Sequence, residues 1–161
     1  ACDYDLPFLA KHCDVFYIGG TKVGAMIGEA VVFTGMKAPK YFFTIVKRHG
    51  ALLAKGRMLG IQFDTLFTDN LYFKVSQHAI NMAVRICDIF KKHGIAIAYD
   101  SPTNQQFVVL PKRLYEALSQ KVAFEIWERK CDEEIVCRFV TSWATKEEEL
   151  DELDRILTTL C

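Results

Sequence analysis

The sequence has neither a surplus of one charge nor a long apolar run. Its 161 residues carry 20 basic and 20 acidic side chains, so the formal net charge at pH 7 is zero. Nucleic acids and anionic membranes attract a basic surplus or a clustered basic face, so neither is expected as a partner. The longest uncharged apolar stretch, residues 30–36, is far shorter than the ~20 residues of a membrane-spanning helix.

The sequence also lacks the usual signals of secretion and of metal binding. The first residues, Ala1-Cys2-Asp3, do not form a charged lead into an apolar signal sequence. The six cysteines contain no C-x-x-C pair, and no histidine stands at zinc-ligand spacing from two cysteines. We therefore expect a cytoplasmic protein without a metal site, in which Cys87 and Cys137 are small buried side chains in a reducing compartment.

The pattern in residues 1–39 predicts two strands joined by a glycine-rich loop. Apolar runs at 13–18 and 29–34 do not alternate with polar residues, which is typical of strands buried on both faces. The loop between them, residues 19–28, contains four glycines. Two apolar strands cannot cover their own faces, so we expect them to come from a larger sheet. The chain is accordingly interpreted as the C-terminal portion of a longer protein.

Helices predominate over the next part of the chain. Residues 40–70 have a helical pattern interrupted at Gly50, Gly56 and Gly60, which predicts short connecting helices. An amphipathic helix follows over 71–93, with Asp69 or Asn70 as its cap and Gly94 at its end.

The last seventy residues predict a small α+β domain. Two strand pairs alternate with helices, and the last helix begins with a capping box at Thr145–Glu148. The predicted elements after Gly94 are, in chain order, residues 95–99, 106–110, 111–120, 122–128, 134–140 and 145–160. We therefore expect residues 71–161 to form a complete domain.

One lysine, Lys22, stands within the glycine-rich loop. Glycines let the backbone approach a planar ligand closely. A lysine in an apolar setting loses hydration, which frees its amine to condense with a carbonyl group. By spacing alone, a solvated turn lysine is the simpler interpretation. A phosphate-binding loop is a poorer one, because Val23 stands where that motif has Ser or Thr.

Residues 14–32, DVFYIGGTKVGAMIGEAVV, resemble the cofactor-lysine segment of the threonine aldolases, which are pyridoxal 5′-phosphate enzymes grouped with the β-eliminating lyases. Looser similarity continues at 53–63 and 137–145. The resemblance implies an α/β fold, the C-terminal portion of the aspartate-aminotransferase fold. Residues 1–39 would then be a remnant of the large cofactor-binding domain, 40–70 connecting helices, and 71–161 the small C-terminal domain.

The resemblance also implies roles for four residues. Lys22 matches the lysine that bonds covalently to the cofactor aldehyde, and Thr21 occupies a position where the family often has a hydroxyl near the cofactor. Arg138 matches the arginine that binds the substrate α-carboxylate, a role that suits the planar guanidinium. By pattern alone, Arg138 would be an exposed strand residue. Arg57 is left with three interpretations: a contact to the cofactor phosphate, a contact to a neighbouring subunit, or a solvated loop cation.

The function implied by the resemblance is cleavage of a β-hydroxy-α-amino acid, such as threonine or allo-threonine, to glycine and an aldehyde. The alternatives are a β-eliminating lyase or aminotransferase-like enzyme of the same fold, and a non-catalytic α+β interaction module. In the family, the residues that bind the pyridine ring lie upstream of the lysine, in a part of the protein that this chain does not include. The isolated chain is therefore expected to be inactive. A homodimer or homotetramer is expected, because the family builds its sites at a subunit interface.

Overall fold

The computed structural model describes residues 3–35, 38–129 and 131–161. Cys2 and the end of the apolar stretch at Met36 lie outside the described residues. The chain separates into two units, Cys2–Lys74 and Val75–Cys161. The elements of the first unit are α1 (Leu6–His12), β1 (Val15–Gly19), β2 (Glu29–Phe33), α2 (Phe42–Arg48) and α3 (Arg57–Phe67). Helix α4 (Leu71–Lys92) contains the boundary between the units. It is followed by β3 (Ile97–Tyr99), β4 (Gln105–Pro111), α5 (Lys112–Leu118), β5 (Glu125–Arg129), β6 (Glu134–Val140) and α6 (Glu147–Leu160).

The two strands of the first unit form an antiparallel pair, with Val15 opposite Phe33 and Gly19 opposite Glu29. Both predicted strands are therefore confirmed. Their predicted burial on both faces is wrong for this chain, since Tyr17 is 71% exposed and Val31 is 55% exposed. In the described part of this unit the sheet consists of these two strands alone, so no third strand flanks them.

The interrupting glycines predicted in the first unit differ in their places relative to the helices. After α2, Gly50 takes a left-handed conformation with φ of +71°, and the next amide, of Ala51, donates to the Val46 carbonyl at 3.0 Å. This is the Schellman arrangement that satisfies the last carbonyls of a helix. Gly56 precedes α3, as the predicted break requires. The predicted break at Gly60 is wrong, because Gly60 lies inside α3.

Helix α4 ends as its sequence predicts but begins differently. Gly94 has φ of +70°, and the Ile95 amide donates to the Phe90 carbonyl at 2.9 Å, which completes a second Schellman motif. At the other end, Asp69 and Asn70 have φ of +51° and +58°. An N-cap residue is normally extended, so the predicted cap by one of these two side chains is wrong.

The second unit is built on a four-stranded antiparallel sheet in the order β3-β4-β6-β5. Alternate residues of β4 are buried, as expected for a strand with one face on a core, whereas three consecutive residues of the inner strand β6, Ile135, Val136 and Cys137, are all buried. Apolar side chains of α4, α5 and α6 complete that core. The core residues with no more than 1% exposure are Phe90, Val108, Leu110, Leu118, Ile135, Cys137 and Leu157.

The last helix begins one residue later than its predicted capping box. The Lys146 amide donates to the Glu149 carboxylate at 3.0 Å, so the reciprocal carboxylate is Glu149 rather than Glu148. Thr145 instead accepts a hydrogen bond from the Ser142 amide at 3.0 Å. In the described part of the chain, every helix is too short or too polar to cross a membrane.

Burial of the cysteines follows their place in the second unit. Cys137 lies on the core side of β6 and is buried, as predicted. Cys87 is only half-buried, so its predicted burial is partly wrong. Cys131 and Cys161 are exposed, and the five cysteines within the described residues are free thiols.

Candidate functional site

The glycine-rich loop of the first unit is a tight turn closed by its own backbone. The Gly20 carbonyl accepts hydrogen bonds from the amides of Val23 and Ala25, at 3.1 and 2.9 Å. Thr21–Val23 form one turn of 3-10 helix between them, and Gly24 continues with φ of +100°. That left-handed conformation is strained for residues with a side chain. The backbone on both sides of Lys22 is therefore fixed.

Helix α3 holds the second half of this loop. The Met26 amide donates to Oε1 of Gln62 at 2.6 Å, and Nε2 of Gln62 donates to the Ile27 carbonyl at 3.4 Å. Gly28, with φ of +86°, lies so close to α3 that an added Cβ would be 2.8 Å from Leu59 Cδ2. One glutamine thus orders two peptide groups of the loop, one on each side of the Met26–Ile27 peptide bond.

The first half of the loop is held by close packing and by one tyrosine. A Cβ added to Gly20 would lie 2.7 Å from the Cβ of Ala25 and 3.0 Å from the Phe63 ring, so only glycine fits there. The Tyr72 hydroxyl donates to the Gly19 carbonyl at 3.0 Å, and burial raises the pKa of Tyr72. Sequence reasoning missed the supporting roles of Gln62 and Tyr72, because no local spacing connects either residue with the loop.

Lys22 is exposed, and among the described residues none makes a hydrogen bond or ion pair with its amine. The expectation that it lies in a buried, apolar setting is therefore wrong for this chain. The loop turns Val23 and Ala25 inward, where they are buried, while Thr21 and Lys22 stay at the surface. Thr21 and Lys22, two of the three residues predicted to bind the cofactor, are neighbours in the sequence and lie on one open turn.

Arg57 is the first residue of α3, the helix that carries Gln62 and Phe63. Its side chain is exposed, and within the described ranges it has no ion-pair partner. The positive end of the helix dipole lies at the same place, so this helix end favours an anion. The three interpretations of Arg57 stay open.

Arg138 lies in the second unit, on the inner strand β6, and its position is set by both neighbouring strands. It pairs in register with Phe107 of β4 and Glu125 of β5. Nη1 donates to Oε1 of Gln105 at 3.0 Å, and Nη2 forms an ion pair with the Glu125 carboxylate. The guanidinium also lies over the Trp127 ring, 5.3 Å from its centroid, which is cation–π geometry.

The hydrogen-bonding capacity of Arg138 is not filled by these contacts. Its Nε is buried and has no hydrogen-bond partner among the described atoms. A buried donor without a partner costs about 1–3 kcal/mol, and more when the group is charged. The side chain is 25% exposed, so the interpretation of Arg138 as an ordinary exposed strand residue is wrong. The guanidinium is held firmly, and part of the side chain is exposed to solvent.

Two curated proteins are similar to most of this chain, although no protein-family model matches it. A low specificity L-threonine aldolase of Pseudomonas sp. (strain NCIMB 10558) is 28% identical over 142 residues, which make up 87% of this chain and 40% of that protein. A low specificity L-threonine aldolase of Pseudomonas aeruginosa is 28% identical over 144 residues, or 88% of this chain and 40% of that protein.

A solved structure of a threonine aldolase has the same fold as this chain. The threonine aldolase of Leishmania major superposes with a TM-score of 0.93 and 35% identity, over 98% of this chain and 46% of that one. The chain therefore spans less than half the length of these relatives. It matches the C-terminal portion of threonine aldolases, which confirms the predicted resemblance and the predicted α/β fold.

Proposed function

We propose that this chain supplies the covalent lysine and the substrate clamp of a pyridoxal-phosphate-dependent aldolase. The reaction is the cleavage of a β-hydroxy-α-amino acid, such as threonine or allo-threonine, to glycine and an aldehyde. One observation carries the proposal: a rigid glycine turn presents the unpaired amine of Lys22 in a chain whose relatives are named threonine aldolases. The bound cofactor supplies an electron sink for the carbon–carbon bond that breaks.

The donors around the turn fit such a cofactor. The Lys22 amine is unpaired and can condense with an aldehyde, and the neighbouring Thr21 hydroxyl is exposed on the same turn. Arg57, at the N-terminus of α3, offers a cation together with the helix dipole, which suits a phosphate group. We therefore assign Lys22, Thr21 and Arg57 to the cofactor.

The protein's own part in the reaction is to hold the amino acid and to move a proton. Arg138 binds the α-carboxylate and so fixes the direction of the Cα–Cβ bond. The Nζ amine of Lys22, when it is not bonded to the cofactor, would donate the proton that Cα gains on cleavage, and a base outside this chain would take the proton of the β-hydroxyl group. These two roles require one rigid guanidinium and one free amine, and the chain contains both.

The covalent step is tested by reduction with borohydride. The full chain is incubated with pyridoxal phosphate, reduced, digested and analysed by peptide mass spectrometry. We expect the phosphopyridoxyl group on Lys22, and its loss in Lys22→Ala. Lys55→Ala is the matched control, because Lys55 is an exposed loop lysine of the same unit. Labelling that is spread equally over surface lysines would contradict the assignment.

The reaction class is tested on the natural protein with threonine, allo-threonine and serine. Glycine and acetaldehyde from threonine support the aldolase. Pyruvate from serine, without acetaldehyde from threonine, would instead indicate a β-eliminating lyase. Absence of all products, together with absence of labelling at Lys22, would indicate a non-catalytic module.

The proposal includes assembly into a homodimer or homotetramer in the cytoplasm. Its support is the resemblance and the apolar surface of the first unit, where Met26, Tyr41 and Phe43 are each more than two-thirds exposed. Light scattering of the natural protein measures the assembly, and a monomer at micromolar concentration would contradict it.

A further inference from the structure

Arg138 is already engaged by a carboxylate of its own chain. Glu125, directly opposite it on β5, forms an ion pair with Nη2. The Glu125 side chain is 66% exposed, whereas that of Arg138 is 25% exposed. The arginine is therefore fixed between two strands, while its acidic partner reaches it from the solvent side.

This ion pair is in conflict with the binding of a second carboxylate. A carboxylate binds a guanidinium most strongly through two neighbouring nitrogens. Nε of Arg138 is buried, Nη1 bonds to Gln105, and Nη2 bonds to Glu125. An incoming carboxylate at Nη2 would lie beside the Glu125 carboxylate, and two like charges at one nitrogen repel each other.

We infer that Glu125 occupies Arg138 in the substrate-free protein and is displaced by the substrate α-carboxylate, so that Glu125 weakens and thereby sets the affinity for the amino acid. This inference rests on the proposed role of Arg138. Displacement is easy because Glu125 is 66% exposed and can turn into solvent, and an ion pair with so exposed a partner contributes little to stability. Gln105 and Trp127 stay in contact with the guanidinium and keep its position when Glu125 leaves.

Glu128 supplies a matched control on the same strand. Its carboxylate accepts a hydrogen bond from the Tyr99 hydroxyl at 2.7 Å, and within the described residues it forms no hydrogen bond or ion pair with Arg138. Glu125→Gln and Glu128→Gln each remove one negative charge from exposed positions of β5. Only the first is expected to change the binding of a carboxylate at Arg138, because only Glu125 competes for it.

Trp127 gives a readout that needs neither cofactor nor activity. It lies against Arg138, and the sequence has only one other tryptophan, Trp143. In the full chain carrying Trp143→Phe, fluorescence is titrated with sodium propionate at constant ionic strength. We expect Glu125→Gln to lower the dissociation constant by roughly two- to fivefold, which corresponds to the loss of one exposed ion pair. Glu128→Gln should match the unaltered sequence, and Arg138→Gln should abolish the response.

The outcomes separate this inference from the proposed function. An affinity in Glu125→Gln that is unchanged or weaker overturns the inference, even where Arg138→Gln confirms the clamp. A propionate response that survives Arg138→Gln overturns the clamp itself, and the inference with it. Labelling of Lys22 tests the cofactor assignment independently of either result.

Steady-state kinetics of the natural protein show whether Glu125 competes with the substrate for Arg138 or only holds Arg138 in position. If Glu125 competes with the substrate, Glu125→Gln lowers KM for threonine by the same roughly two- to fivefold factor and leaves kcat unchanged. If Glu125 instead only steadies Arg138, the same variant raises KM, and that result contradicts the inference.

Discussion

The two units of the chain bury very different shares of their apolar side chains. The second unit encloses aromatic and aliphatic residues of three helices and a sheet, and Phe90 at its centre is 0% exposed. In the first unit, Phe43 is 72% exposed, although it has the same side chain. The difference indicates that the second unit satisfies its own hydrophobic pattern, whereas the first unit presents a surface that suits contact with other protein.

The two candidate site residues, Arg138 and Lys22, also differ in how the protein holds them in place. Arg138 is positioned by side chains of two neighbouring strands, so its direction is fixed within one unit. Lys22 is positioned through its backbone, by glycines and by Gln62, and its side chain is open. The side chain of Arg138, the proposed clamp, is therefore fixed within the second unit, whereas only the backbone of Lys22, the proposed cofactor lysine, is fixed within the first.

The largest effect is expected on the free energy of unfolding, when one phenylalanine of each unit is replaced by alanine. Phe90→Ala removes a fully buried ring and should lower the free energy of unfolding by about 3–5 kcal/mol, because it leaves a cavity in the core. Phe43→Ala should change it by no more than about 0.5 kcal/mol, as is usual for exposed positions. Urea denaturation followed by circular dichroism measures both. Equal losses would contradict the contrast between the units.

The glycine turn is tested by a second matched pair. Gly20→Ala places a Cβ 2.7 Å from that of Ala25, so the loop must shift, at a cost of about 1–3 kcal/mol. At Gly19, no atom lies within 4 Å of an added Cβ. Borohydride labelling of Lys22 should therefore fall in Gly20→Ala and be retained in Gly19→Ala. Equal labelling of both variants would show that the turn does not depend on close packing at Gly20.

Thiol reactivity tests the closed core of the second unit. Burial raises the pKa of the Cys137 thiol to about 11, whereas Cys131 is exposed. Only the thiolate reacts, so Cys137 should be alkylated at pH 8 at least roughly a hundredfold more slowly than Cys131. Mass spectrometry after timed exposure to iodoacetamide measures the two rates. Similar rates in the folded chain would contradict the burial of β6.

The smallest expected effect concerns the contact between α4 and α6. Hydrogen bonds from Lys92 and His93 hold the pKa of Asp154 below its ordinary value of 3.8. A carboxyl with a lowered pKa stabilises the fold above its unfolded-state pKa, and this contribution is lost as pH falls through the folded-state value. Asp154→Asn should therefore lower the urea midpoint slightly at pH 7, and the difference from the original sequence should shrink below pH 4. A difference that grows on acidification would contradict this pairing.

Local signals in the sequence predicted much of the second unit. The end of α4 at Gly94 and the range of β6, residues 134–140, depend on residues a few positions apart, so they were visible in the sequence. The capping box was predicted one residue early, because Thr145 is a good cap by type but bonds to Ser142 instead. Propensity ranks the candidates for a cap, whereas the path of the incoming chain selects among them.

The candidate site was predictable only in its residue types. Lys22, Thr21, Arg57 and Arg138 were identified from motif similarity, and their assignments stay proposals. The exposure of Lys22 could not be inferred, because a glycine-rich segment is compatible with a buried or an open turn. Glu125 gave no signal of its own, since an exposed glutamate on an edge strand is ordinary.

By itself, the sequence determined the order and type of most elements and the glycine positions of the turns, and it supplied Lys22 and Arg138 as candidate site residues. These depend on backbone preferences and on hydrogen bonds between near neighbours. Only the tertiary structure decided that Gln62 holds Met26, 36 residues away, and that Arg138 bonds to Gln105, 33 residues away, and to Glu125, 13 residues away. Such contacts arise when separate elements pack together, and the register of that packing sets which side chains meet.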